Sequence, residues 1–267
     1  MQYTVDGLTS VTKLSRFENN KLDIGFNLLC VLLERIGISP HEYLSMVTRS
    51  GSRSATYEDK LTNLLFAKDS VGLAALALAN LKLYRQQHRD DNLFRAASAD
   101  NYYYYLTQKR ILHDDDLEQL YKRISEFTLW SRKEINLFGN VTCIMPSRFT
   151  LAIAKVIIEN LDAIGARSFG TYLDAVEALL NAQDGLIYQN IRDAEELTDH
   201  LFGISLPPAS PFISLRRKFG RCLLEIAKGN KAGLADAQKI LALLDECGEV
   251  ELADGFRDSV VRVQRCR

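Results

Sequence analysis

The stretch from Leu8 to Lys21, L-T-S-V-T-K-L-S-R-F-E-N-N-K, sets small hydroxyls and cations around an apolar stripe at helical intervals. Thr9 or Ser10 can cap a short helix whose buried stripe would be Val11, Leu14 and Phe17. Thr12, Lys13, Ser15, Arg16 and Asn19 then form the outer face, with Ser10 at its start. Small hydroxyls beside Lys and Arg suit entry into a DNA major groove, because hydroxyls and amides bond base edges or phosphates and the cations release counterions. Ser10, Thr12, Lys13, Ser15 and Arg16 are therefore candidate DNA contacts, although a capped surface helix with solvated charges would look the same. Elsewhere His41, His88, His113 and His200 are isolated, and no H-x-x-x-H, G-x-S-x-G or phosphate-loop spacing occurs. Asp114, Asp115 and Asp116 suit a helix N-terminus better than a metal. No enzyme activity, metal site or cofactor is expected. Tyr102 to Tyr105 sweep most of the way around a helix and cannot form one binding face, so two are expected in the core and two at its rim.

The composition is that of a globular protein, 47% hydrophobic and 25% charged, with a formal charge of −1. Neutrality removes any general electrostatic case for nucleic-acid binding, so a DNA contact must be local. Residues 1–50 carry five basic and five acidic side chains, without the surplus of a strong DNA-binding domain. Five widely spaced cysteines without a C-x-x-C pair point to reduced, mostly buried thiols. The longest apolar run, Val71 to Leu81, is interrupted by Asn80 and falls short of a membrane span, and the N-terminus lacks a secretory pattern. A cytoplasmic protein without membrane association is the expectation.

The elements that must position these residues read as nearly all α. Helices are expected near 55–68, 71–88, 92–110, 115–128, 131–145, 147–162, 168–183 and 186–202. Two more carry clear apolar stripes, Leu215 to Ile226 and Leu234 to Leu244, and a terminal one runs from Glu251 to Val263. Short joints such as Lys228-Gly229-Asn230 imply antiparallel neighbours, and helix pairs too thin to bury their own faces imply a stacked α-solenoid. The polar stretch Thr48 to Thr56 reads as a linker, giving domains of 1–50 and 51–267.

Ser10 to Lys21 resembles the recognition half of a helix-turn-helix of the phage-repressor kind, S-x-x-x-[IL]-S-[RK]-[IF]-E-x-x-x, and Ile24 to Leu44 resembles the closing helices, with Ser39 capping and Pro40 at the first helical position. Only seven residues precede Leu8, so the motif is expected to lack its first helix and most of its second. Trp130 to Pro146, W-S-R-K-E-I-N-L-F-G-N-V-T-C-I-M-P, resembles the W-x-x-x-E-[LI]-x-L-F-[GS]-N element of Rgg-type regulators, the Rgg/GadR/MutR and PlcR/PrgX-like group. The similarity continues through Leu179-Leu180-Asn181 and the last pair, Phe212 to Gly248. The resemblance implies an all-α cytoplasmic transcription factor with a truncated helix-turn-helix followed by a tetratricopeptide-like solenoid. It further implies a homodimer, a DNA partner engaged weakly or conditionally, and a short hydrophobic signalling peptide as ligand.

An extended peptide exposes N–H and C=O groups that a short amide side chain can pair without reading sequence. By match to the motif, Asn140 is the foremost candidate peptide contact, Asn181 one repeat later a second, and Tyr172 a candidate wall. Each Asn could instead cap a helix or bond within the solenoid. Cys30 could meet its symmetry mate or stay buried, and the terminal helix could cap the solenoid or meet a partner. A solenoid adaptor or antagonist without autonomous DNA binding is the alternative.

Overall fold

The computed structural model describes residues 2–50, 56–208 and 210–265, and among them it contains sixteen α-helices and no strand. The chain divides into two compact units, Met1–Lys60 and Leu61–Arg267.

The first unit contains α1 (Gln2–Val5), α2 (Val11–Glu18), α3 (Phe26–Arg35) and α4 (Pro40–Ser50). Ser10 is the N-cap of α2, its hydroxyl oxygen accepting the Lys13 amide at 3.1 Å. The small core is Val5, Leu14 and Leu32, with Leu8, Phe17, Ile24 and Leu28 packed against it. The expected stripe is corrected at one position: Val11 is 41% exposed, because at the first residue of α2 it precedes the turn that faces α3. The Arg35 guanidinium donates to the carbonyls of Tyr3 and Asp6, at 3.3 and 2.6 Å, and so satisfies carbonyls that α1 leaves open. At α4, the Glu42 carboxylate accepts from the Ser39 amide at 2.8 Å and the Ser39 hydroxyl accepts the Glu42 amide at 3.2 Å, a reciprocal cap. Thr48 to Ser50 continue α4 instead of opening a linker, and residues 51–55 lie outside the described residues.

The second unit is a double row of helices. In chain order they are α5 (Tyr57–Phe66), which starts before the unit boundary, α6 (Ser70–Gln87), α7 (Asp90–Thr107), α8 (Asp114–Ser125), α9 (Arg132–Gly139), α10 (Ser147–Glu159), α11 (Leu161–Arg167), α12 (Phe169–Gln189), α13 (Ile191–Gly203), α14 (Pro211–Ala227), α15 (Lys231–Glu246) and α16 (Val250–Arg265). The sequential neighbours α6 and α7, α12 and α13, α14 and α15, and α15 and α16 pack together, while α9, α12, α14 and α16 form one row and α8, α10 and α13 the other. One continuous core, from Leu81 to Val263, fills the space between the rows.

Two expected boundaries are corrected. The break placed between 183 and 186 does not exist: α12 runs through to Gln189, and a separate short helix, α11, precedes it. The helix expected over 131–145 ends at Gly139, and Asn140 is its C-cap. Phe256 stacks on Phe219 with ring centroids 4.0 Å apart, and Val260 and Val263 are buried, so α16 caps the double row.

Candidate functional site

The motif around Trp130 becomes a set of contacts. Ser131 caps α9, with its amide donating to the Glu134 carboxylate at 3.2 Å and its hydroxyl bonded to the same carboxylate, so Glu134 is structural. Trp130 is buried against Phe127, and its carbonyl accepts from Arg167 at 3.0 Å. Gly139 lets α12 approach: a Cβ there would lie 3.1 Å from the Ala178 Cβ. Asn181 then donates its Nδ2 to the Gly139 carbonyl at 3.3 Å, and its Oδ1 accepts from Arg216 at 2.9 Å. The L-F-G-N string is thus first of all a helix-crossing device.

Beside this crossing lies an open groove of about 820 Å³, contained within the second unit. Leu65, Phe66 and Lys68 stand at one edge, and α7 contributes Asn101, Tyr102, Tyr105 and Leu106. The floor is Gly139, Thr142 and Cys143 at and after the end of α9, together with Asn181 and Asp184 of α12. The far wall is α16, through Glu251, Asp254, Gly255, Asp258 and Arg262. Arg262 reaches across to α7, its guanidinium 4.2 Å from the centre of the Tyr105 ring and 5.8 Å from that of Tyr188.

The candidate residues separate in this frame. Asn181 lines the groove, but both of its polar atoms are engaged within the unit. Asn140 acts one step back: its Oδ1 accepts the Tyr102 hydroxyl at 2.7 Å and orients that ring at the groove wall. Tyr172 does not line the groove; its hydroxyl donates to the Ser205 carbonyl at 3.0 Å and its ring stacks beside Phe169. Sequence reasoning missed Asn101, which is 3% exposed. Its Oδ1 accepts the Cys143 amide at 2.8 Å, and its side-chain amide also hydrogen-bonds the Cys143 thiol. The signal was present, since Asn101, Asn140 and Asn181 recur at intervals of about 40 residues. The tyrosine run is also corrected: all four rings are half-buried, and Tyr102 and Tyr105, three apart, share the groove face.

Enclosure shapes the electrostatics. Asp184 is surrounded by protein, which raises its carboxyl pKa, while Arg216 at 3.6 Å counteracts the rise. Its side chain is nonetheless 43% exposed, because the groove admits solvent to it. Burial, with the Asp184 charge nearby, pushes the Cys143 thiol up to about 11. Burial likewise raises the Tyr188 and Tyr102 hydroxyls. Among the described residues Cys222 is buried, Cys30 and Cys143 are half-buried and Cys247 is exposed, which corrects the expectation of mostly buried thiols; Cys266 lies outside the described residues. Among the described residues no group of His, Cys, Asp and Glu could hold a metal, and no helix is long and apolar enough to cross a membrane.

On α2, Ser10, Thr12, Lys13 and Arg16 are exposed and Ser15 is half-exposed. The Ser15 carbonyl accepts the Asn19 amide side chain at 2.7 Å, which closes the end of the helix. These residues form one surface in the first unit, and the groove is described in the second.

Amides, aromatic rings and carboxylates line a groove on a frame of packed helices, and the class so defined is an all-α protein. Residues 78–258 match the family described as HTH-type transcriptional regulator Rgg, C-terminal domain, and the chain belongs to the Rgg-type transcriptional regulators. That family consists of regulators, not enzymes. No curated protein matches the sequence. Among solved structures, the fold is similar to that of a Listeria monocytogenes protein described as a transcriptional regulator, at TM-score 0.75 and 17% identity over 99% of this chain and 92% of that one. It is also similar to the SHP pheromone receptor Rgg2 of Streptococcus dysgalactiae, at TM-score 0.73 and 15% identity over 98% and 94%. A point mutant of PrgX follows at TM-score 0.70 and 13% identity over 99% and 89%. At such identities the likeness is one of fold.

Proposed function

We propose that this Rgg-type chain is a peptide-responsive transcriptional regulator, with a short hydrophobic peptide held in the groove and DNA engaged through α2. The observation that carries the reading is the groove itself, whose lining joins the amides of Asn101 and Asn181 to the Tyr102 and Tyr105 rings, a set that fits the backbone and apolar side chains of an extended peptide. Asn140 supports it by fixing Tyr102, and Asn181 by holding the floor through Gly139 and Arg216. The exposed face of Thr12, Lys13 and Arg16, with Ser10 and Ser15, is the surface proposed for DNA. Residues 1–50 would serve as the DNA-binding domain and 51–267 as the peptide-binding and dimerisation domain, working in the cytoplasm as a homodimer. A dimer is what paired half-sites require. Peptide that binds two dimer arrangements with different affinity would supply the energy of the switch.

The test begins with selection of bound fragments from the host genome by the purified chain, with and without peptide. Lys13→Ala and Arg16→Ala should each weaken the selected complex and lower its salt slope by about one. Failure to select any fragment under either condition would remove the DNA assignment. For the groove, labelled hydrophobic peptide that binds Asn140→Ala and Asn101→Ala as tightly as wild type would remove the peptide assignment.

A further inference from the structure

The charged side chains that line the groove are not equally engaged. Asp184 is answered by Arg216 at 3.6 Å and Asp254 by Arg257 at 2.7 Å. Arg262 differs from both. Half-buried in the groove, its guanidinium lies over the Tyr105 ring, 4.2 Å from the centre, and among the described residues it makes no hydrogen bond or ion pair. Asp258, one turn earlier on α16, lines the same groove without pairing with it.

The charge points inward. It favours the ionised forms of the Cys143 thiol and the Tyr188 hydroxyl, against the burial that raises both. The positive field of Arg262 therefore falls on the enclosed floor of the groove, where water screens it least. A ring that covers the face of a guanidinium leaves its edge open, and that edge carries N–H donors in a fixed fork. A carboxylate matches the fork with two parallel bonds, whereas a carbonyl takes one and a cation is repelled. Stacking on Tyr105 also holds the fork in position before a ligand arrives, which lowers the cost of ordering it. Two unpaired acids oppose an anion here. Glu251 is about three turns away, roughly 16 Å along α16, so its repulsion at Arg262 is weak; Asp258 is the near competitor.

We infer that Arg262 anchors a carboxylate of the bound peptide, either its C-terminal group or an Asp or Glu side chain, with the guanidinium stacked on Tyr105 as it donates. The inference rests on the peptide-binding reading and narrows it from hydrophobic peptides in general to those that present a carboxylate beside α16.

The experiment is fluorescence polarisation of the full chain with three matched pools of short peptides, labelled at the N-terminus and randomised over Leu, Ile, Val, Phe and Gly. One pool ends in a free carboxylate, one in an amide, and one in an amide with a single internal Glu. Each is titrated against wild type, Arg262→Gln, Asp258→Asn and Lys68→Gln, the last removing the same charge from the exposed far edge of the groove. At least one carboxylate pool is expected to bind wild type roughly tenfold tighter than the neutral amide pool. That ratio should fall to near one in Arg262→Gln, persist in Lys68→Gln and rise in Asp258→Asn, where the competitor is gone. Because the ratio compares pools on the same variant, it is insensitive to a general loss of stability. Which carboxylate pool leads separates terminus from side chain. Equal binding of the three pools to wild type, a ratio unchanged in Arg262→Gln, or an equal fall in Lys68→Gln overturns the anchor and leaves peptide binding standing. Absence of binding by every pool overturns both.

Discussion

Asp100 is fully buried, and its two carboxylate oxygens accept the amides of Ile111 and Leu112 at 2.8 and 2.9 Å, tying α7 to the segment before α8. Replacing it with Ala leaves two enclosed N–H groups without acceptors, so Asp100→Ala should lower stability by about 2–4 kcal/mol, measured by urea unfolding. Burial raises the Asp100 pKa more than the two amides lower it. A carboxyl whose folded value is raised contributes most below its unfolded value and loses that contribution as pH rises through the folded one. The gap between wild type and Asp100→Ala should therefore narrow with rising pH over that interval. Cys143 offers a second test at this scale. With its thiol held at about 11, it is almost wholly protonated at neutral pH and should alkylate far more slowly than exposed Cys247. Its rate should climb roughly tenfold per pH unit toward that value, read by mass spectrometry of iodoacetamide-treated protein. Equal labelling of the two thiols at neutral pH would contradict the enclosure described.

At the scale of helices, close approach decides what each glycine tolerates. A Cβ at Gly185 would lie 2.7 Å from the Thr142 carbonyl oxygen, so Gly185→Ala must displace the turn after α9 and should destabilise by about 1–3 kcal/mol. At Gly255 on α16 nothing lies within 4 Å, and Gly255→Ala should be neutral or stabilise by up to about 1 kcal/mol through helix propensity alone. Thermal unfolding of the two variants distinguishes a crowded glycine from a free one. The same contrast explains what the sequence disclosed. Helices α14 and α15 were legible because one face is apolar and Gly229 and Gly248, both at positive φ, end their turns. Helix α12 was not, because Gln183-Asp184-Gly185 looks like a polar break, whereas Gly185 is helical and Gln183 is buried, donating to Thr198 at 2.7 Å. Asn140 and Asn181 were found through the motif, but Asn101 lies beside the tyrosine run of α7, outside that motif. Only the approach of α16 makes that run one side of a groove, and helical periodicity carries no trace of a contact between helices so far apart in sequence.

For the whole molecule, the two units differ in the core each can muster. The first has Val5, Leu14 and Leu32 at its centre, while the second has a continuous interior from Leu81 to Val263. A small core buries little apolar area per ordered residue, so amides of α2 and α3 should exchange with deuterium orders of magnitude faster than those of α7 and α12. Uniform protection across both units, read by hydrogen-exchange mass spectrometry, would refute that ranking. The placement of α16 opposite α7 has a further mechanical meaning. The helices that face each other across the groove come from near the two ends of the second unit, with the intervening hairpins wound between them like the coils of a spring. Anything that grips both ends at once, as Arg262 already does through the Tyr105 ring, sets the pitch of every coil. Stiffness at a crossing such as Gly139 on Ala178 would then govern how far a small tug travels, so variants remote from any bound molecule could retune the response without weakening the grip.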